Sequence, residues 1–142
     1  MLCRTRFRVA GVYLIISKNM TDLRAKLAII VLGDCIDEIP NVKVWAAKSG
    51  VSTRWLYKLM KQKYGYSPKQ VLRRVRYKKI RECIVREPDM TGYGIAVESG
   101  LRDEQALYKF LTTHYGTGLK ELRNEIWSQQ NGVLEQRKSL NA

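Results

Sequence analysis

Acidic residues are scarce in this chain: 13 Asp and Glu stand against 26 Lys and Arg, a formal net charge of +13. That balance excludes an acidic solvating segment and points to a polyanionic partner, either nucleic acid or an anionic membrane surface. Cysteine is also rare. Cys3, Cys35 and Cys83 are odd in number, far apart and free of any C-x-x-C spacing. A disulfide framework or zinc site is therefore not expected, and the usage fits a reducing cytoplasm. The one histidine, His114, has no catalytic partner in view, so a half-exposed structural or phosphate-facing role is expected. The sequence offers no glycine-rich phosphate loop and no carboxylate pair, so neither a catalytic residue nor a metal or cofactor is expected. The longest early apolar run, Val9 to Ile16, is too short to cross a bilayer. No membrane partner is expected.

What the chain does have is a repeat. Ala46, Ser49 and Gly50 recur as Ala96, Ser99 and Gly100. After a one-residue insertion, Leu56-Tyr57-Lys58 and Tyr64-Gly65 recur as Leu107-Tyr108-Lys109 and Tyr115-Gly116. Each copy reads as a short apolar helix, a Ser-Gly turn and a second helix ended by glycine, which is the helix-turn-helix pattern. In the first copy the spacing puts Trp55, Leu56, Leu59 and Met60 on one side and Arg54, Tyr57, Lys58 and Lys61 on the other. In the second it separates Ala106, Leu107, Phe110 and Leu111 from Gln105, Tyr108, Lys109 and Thr112. The apolar stripes are core. The outward faces carry donors that suit phosphates and base edges in a major groove.

At 142 residues and 45% hydrophobic, the chain can bury the core of one ordinary domain or two very small ones. Residues 1–19 read as a weakly ordered extension, strand-like or translated upstream of a working start at Met20; a basic start before an apolar run lacks the cleavage site of a leader. Residues 20–67 hold the first helix-turn-helix subdomain. Thr21 or Asp22 caps a helix to about Ile36, with Leu23, Leu27, Ile30 and Val31 as its buried stripe. Asn41 and Ser52 cap the two helices of copy one. Ser67 then caps, and Pro68 opens, a linker helix over 68–86 with Val71, Leu72, Val75, Ile80, Cys83 and Ile84 inward. It ends at Glu87-Pro88. Its roughly 18 residues span on the order of 27 Å, a stiff connector between heads that must reach major grooves roughly 34 Å apart. Residues 87–127 form the second subdomain, and 128–142 a polar tail without assigned function, relieved by Val133 and Leu134.

Charge is concentrated in the first half. From Ser52 to Glu82 the sequence carries Arg54, Lys58, Lys61, Lys63, Lys69, Arg73, Arg74, Arg76, Lys78, Lys79 and Arg81 against Glu82 alone. Copy two is more balanced. The first half is therefore expected to supply most of the electrostatic affinity.

The stretch from Val42 to Arg123 resembles the DNA-binding domain of the AraC/XylS family of bacterial transcription regulators. The matching elements are Val42-x-x-Trp45-Ala46, Ser49-Gly50-Val51-Ser52, Leu56, Gly65, Leu72-Arg73-Arg74-x-Arg76, Ile95-Ala96-x-x-x-Gly100-Leu101, Gly116 and Arg123. The resemblance implies an all-α fold of seven helices, a homeodomain-like pair of helix-turn-helix subdomains joined by a long linker helix. It implies sequence-specific binding of double-stranded promoter DNA in successive major grooves, usually to activate transcription through RNA polymerase. Base-reading positions carried over are Arg54, Tyr57 and Lys58 in the first head and Glu104, Gln105 and Lys109 in the second. Contacts to the DNA backbone are expected from Ser52, Thr53, Lys61, Ser67, Lys69, Tyr108 and Thr112. A stand-alone regulator acting as a cytoplasmic monomer on DNA is the form expected.

Three departures from the family pattern fall in the second head. Gly92 and Gly94 occupy its first helix, where each costs about 1 kcal/mol relative to alanine. The usual Gly-x-Ser-Pro is Gly116-Thr117-Gly118-Leu119. The outward face is also less basic. A looser, weaker second head is expected. Two other classes stay open on the residues alone. One is a degenerate module that works mainly as a protein partner of the transcription machinery. The other is an enzyme using this fold as its DNA-binding half, for which Cys83, on the apolar side of the linker helix, is a poor nucleophile.

Overall fold

A computed structural model describes the backbone of residues 10–141 and the side chains of residues 20–141. Among the described residues the chain is entirely helical. The order is α1 (Ala10–Asp34), a 3-10 turn (Ile36–Glu38), α2 (Val42–Lys48), α3 (Thr53–Tyr64), α4 (Pro68–Arg86), α5 (Gly92–Glu98), α6 (Glu104–Tyr115) and α7 (Leu119–Leu140). Contacts divide it into two compact units. The first combines α1 with Asn41–Leu72, and the second combines Cys35–Pro40 with the chain from Arg73 onward.

The first unit is built around Trp45. Its ring is fully buried, and Nε1 donates to the Ala28 carbonyl of α1 at 2.8 Å, so the indole gains burial without a stranded donor. Leu56, Leu59 and Met60 of α3 close the core, as the sequence spacing predicts. α2 starts where the Asn41 side chain accepts from Val44 N, and α3 where the Ser52 hydroxyl accepts from Trp55 N. Ser67 and Gln70 cap α4 reciprocally: Gln70 N donates to the Ser67 hydroxyl, and Ser67 N donates to the Gln70 side chain.

α1 differs from expectation in two ways. It begins at Ala10 rather than at Thr21 or Asp22, so residues 10–19 of the expected weakly ordered extension are helical, while residues 1–9 lie outside the described residues. Its buried stripe is Ala25, Ala28 and Leu32; Leu23, Leu27 and Ile30 are exposed and Val31 is half-buried. The reason is closeness of approach. α1 packs on both α2 and α3, and alanines admit neighbouring backbones that leucines would hold off. At the other end, the tail read as polar and unassigned over 128–142 continues α7 to Leu140.

The second unit closes over Ile80, Cys83, Ile84, Ile95, Leu107, Leu111 and Leu122. Tyr77 of α4 stacks on Tyr115 of α6, with ring centroids 3.7 Å apart and planes 11° from parallel. Thr91 caps α5 and Asp103 caps α6, each accepting from the amide three residues on. Arg76 is the buried cation of this unit, 7% exposed. Its Nε donates to the Ser99 carbonyl at 2.9 Å, and Nη2 donates to the carbonyls of Ile39 (2.8 Å) and Pro40 (3.3 Å). Burial pulls its pKa below the usual arginine value. Counted from sequence with the outward charge, Arg76 is instead an internal tie.

Each Ser-Gly turn uses a left-handed glycine, Gly50 (φ 69°) and Gly100 (φ 76°). The two are not equivalent. A Cβ on Gly50 meets open space, whereas one on Gly100 runs into the Ile36 carbonyl and crowds that of Ile39. Gly50→Ala is therefore expected to cost about 1 kcal/mol from backbone strain alone. Gly100→Ala adds overpacking and should cost about 3 kcal/mol. Arg76→Ala, which strands buried carbonyls, should also cost about 3 kcal/mol. Urea unfolding of the three variants checks both the order and the sizes.

Candidate nucleic-acid interface

Two helices carry the outward faces singled out in the sequence, and each unit holds one. In the first unit α3 runs from its Ser52 cap to the left-handed Gly65. Its apolar side is consumed by the core, which leaves Arg54, Lys58 and Lys61 exposed and Tyr57 half-buried along one face. Spacings of three and four residues stack these side chains one above another along the helix. Among the described residues neither Arg54 nor Lys58 has a carboxylate partner, so both charges face solvent uncompensated. Ser52 and Thr53 sit exposed at the helix start. Lys61 donates to the Gly65 carbonyl at 3.3 Å, a weak tether for an exposed ammonium. Ser67 is half-buried and engaged in its capping box, while Lys69 is exposed on the first turn of α4.

In the second unit α6 runs from Asp103 to the left-handed Gly116. Glu104, Gln105, Tyr108 and Lys109 are exposed, and Tyr108 is 64% exposed. An aromatic ring that open on a helix face is available to a partner. Thr112 is half-buried, and its hydroxyl donates to the carbonyl of Tyr108 at 2.9 Å. Asp103 caps the helix and pairs with Arg102 at 3.0 Å; the Ala106 amide, then Arg102, hold its carboxyl below the usual range. His114 is exposed, stands edge-on to Phe110 at 5.2 Å, and is pulled below its ordinary pKa by desolvation and then by Arg73.

Much of the basic charge of α4 is answered inside its own unit. Arg86 pairs with Glu98 at 2.8 Å, Lys79 with Glu98 at 3.9 Å and Arg81 with Glu125 at 3.3 Å. Glu98 is held below the usual carboxylate range chiefly by Arg86. Cys83 lies fully buried with its thiol pushed up to about 11, first by desolvation and then by Glu98. It is thus a protonated core thiol rather than an activated nucleophile.

Sequence reasoning missed why α5 contains glycines. Gly92 is buried beneath the start of α6, and a Cβ there would overlap the Glu104 carboxylate. The glycine makes the recess in which an expected base-reading side chain rests. α5 forms regardless, because Thr91 caps it and Ile95 and Ala96 anchor it in the core. The only prior signal was the departure of Gly92 from the family pattern.

Residues 45–125 match the family model described as a helix-turn-helix domain. The chain belongs to the AraC-type helix-turn-helix family. Its members are DNA-binding transcription regulators. Among solved structures, a transcriptional regulator of Chromobacterium violaceum described among AraC-type DNA-binding domain-containing proteins superposes with a TM-score of 0.61 at 19% identity. The match covers 76% of this chain and 96% of that one. At that identity the likeness shows the fold. No curated protein matches the chain. Among the described residues, no helix of this AraC-type chain is long and apolar enough to cross a membrane.

Gly92→Ala should leave stability within about 1 kcal/mol of the parent, because helix propensity gains what Glu104 loses on moving aside. Thermal unfolding by circular dichroism checks this, and the displaced Glu104 should appear as shifted amide signals at the start of α6.

Proposed function

We propose that this AraC-type chain is a cytoplasmic transcription activator that binds double-stranded promoter DNA by laying α3 and α6 in successive major grooves. The observation that carries the reading is the repeated head. In both units a capped helix ending at a left-handed glycine buries one stripe and leaves a polar, donor-rich stripe exposed. Arg54, Tyr57 and Lys58 read bases from α3; Glu104, Gln105 and Lys109 read them from α6. A guanidinium in the position of Arg54 suits the paired acceptors of guanine, and the amide of Gln105 suits adenine. Ser52, Thr53, Lys61, Ser67, Lys69, Tyr108 and Thr112 face the sugar-phosphate backbone. One chain carries both heads, so each site takes one copy, and activation follows from contact with RNA polymerase.

The two heads contribute unequally. The α3 face carries Arg54, Lys58 and Lys61 with no acid among them, whereas Glu104 sits within the α6 face and Asp103 answers Arg102. The first head therefore supplies the larger, salt-sensitive share of binding, and the second adds sequence preference once the first is seated.

Selection of bound duplexes from random DNA, followed by gel shift across a salt series, tests the reading. A defined footprint with affinity falling steeply with salt supports it. A salt-insensitive interaction without sequence preference overturns it in favour of a module that binds proteins of the transcription machinery. Within that footprint, Arg54→Ala should cost about 1–3 kcal/mol and relax preference at one base position. Lys58→Ala should weaken binding more than Lys109→Ala, and equal losses would remove the asymmetry between the heads.

A further inference from the structure

Glu104 is the first residue of α6, one step after the Asp103 cap, and it is exposed. Two open hollows flank it, and its side chain forms part of the wall of both. One, of about 520 Å³, runs along α6 beside Gln105, Leu107, Tyr108 and Leu119. The other, of about 400 Å³, lies toward α5 and α7 and has Gly92 in its wall. The carboxylate rests on the Gly92 side, in the space that a Cβ there would fill. Lys120 and Arg123 also line that hollow, against Asp89 alone, so a negative charge is well accommodated there. The first hollow belongs to the face that carries Gln105 and Tyr108. An exposed side chain exchanges rotamers within nanoseconds, so both positions are open to Glu104. The first head has neither part of this arrangement. At the equivalent places in the repeat, Val42 opens α2 and Thr53 opens α3.

A carboxylate in a major groove selects by what it refuses, because it can only accept hydrogen bonds. Guanine presents two acceptors and thymine one. Adenine presents a donor beside an acceptor, and cytosine presents the N4 amine, a donor alone. We propose that Glu104 makes the second head select cytosine at one position, and that the Gly92 recess is a retreat that limits the penalty at other bases. The inference rests on the DNA-binding reading above and adds which base Glu104 takes and what Gly92 contributes. Opposite cytosine the carboxylate leaves the recess and accepts from N4. Opposite guanine or thymine it stays over Gly92, where its lone pairs do not face those of the base. Rejection of the wrong base is thereby softened rather than absolute. Asp103 cannot stand in, because its carboxylate is engaged by the Ala106 amide and by Arg102. Glu104 is thus the residue that meets the base, and Gly92 a positioning residue that acts through it.

Competition binding of the full chain to the duplex it selects from random DNA, with each base pair replaced in turn, tests the proposal. One position within the α6 half of the footprint should favour cytosine. Glu104→Ala should reduce that preference about tenfold, the loss of one base contact. Gly92→Ala closes the retreat. It should not weaken binding to the cytosine duplex, and it should raise discrimination at that position about fivefold, since the displaced charge now faces an acceptor. The combined variant Gly92→Ala/Glu104→Ala should match Glu104→Ala alone, because the glycine acts only through the glutamate. Glu104 is exposed, so its removal leaves the fold intact and its arm of the test readable whatever Gly92→Ala does to stability. A chain that selects no duplex removes the DNA-binding reading and this inference with it. A selected duplex whose preferences survive Glu104→Ala, or whose responsive position favours another base, overturns the assignment of Glu104 and leaves the DNA-binding reading standing. Discrimination that Gly92→Ala leaves unchanged or lowers, or an effect of Gly92→Ala that persists in the combined variant, overturns the retreat.

Discussion

The second unit depends on one buried cation. Arg76 leaves α4 and donates to the carbonyls of Ile39, Pro40 and Ser99. Two of these belong to the segment that follows the 3-10 turn, and the third is the C-cap of α5. No carboxylate answers the charge in that hydrogen-bond set. Desolvation would make such a site costly, as the downward pull on its pKa reflects. Charge-assisted bonds to carbonyls, one at the negative end of a helix, supply the compensation. A guanidinium suits this task better than an ammonium because its planar fork can serve several acceptors at fixed angles. The close approach of Gly100 to Ile36 and Ile39 belongs to the same joint. The segment Cys35–Pro40 thus joins the second unit, although in sequence it sits beside the first.

That joint reshapes the electrostatics. A count along the sequence makes the linker helix the most basic stretch of the chain. Folding withdraws Arg76 into the core and sets Lys79, Arg81 and Arg86 against Glu98 and Glu125. These pairs are partly exposed and each adds little stability. Their effect is on the field: they lower the positive potential that this part of α4 would otherwise present. On α3, by contrast, Arg54 and Lys58 remain exposed and, among the described residues, have no carboxylate partner. The helix face proposed to meet DNA thus keeps its positive charge where part of α4 loses its own.

The repeat made most of the architecture legible. Two copies of Ala-x-x-Ser-Gly followed by Leu-Tyr-Lys and Tyr-Gly locate four helices. Asn41, Ser52 and Ser67 mark three helix starts by local hydrogen bonding that needs no tertiary information. The inward residues of α3, α4 and α6 followed from the same periodicity. α1 was misread because it has two apolar faces, and hydrophobic spacing alone does not say which one the core takes. Residue size decided it: leucine and isoleucine were the natural choice for a buried stripe, but the close approach of two neighbouring helices selected the alanines. Arg76 was hidden for a related reason. Nothing local separates a buried arginine from the solvated ones around it when its acceptors are carbonyls 23 and 37 residues away.

Gly92 shows how a local cost serves a contact made elsewhere in the chain. As a helix residue it is a poor choice, and by propensity alone it weakens α5. Its missing side chain is nevertheless the space occupied by the Glu104 carboxylate. Glu104 lies in the first turn of α6, where the helix dipole favours a negative charge. Resting over Gly92, it is drawn toward its own unit rather than extended freely into solvent. An acid on a face proposed to approach phosphates is unfavourable beside them, and resting over Gly92 lessens that cost until the carboxylate meets the base it is proposed to read. The glycine and the glutamate are thus best understood as a pair. The composition of α5, which looks like a defect when the helix is considered alone, follows from what the neighbouring helix must present.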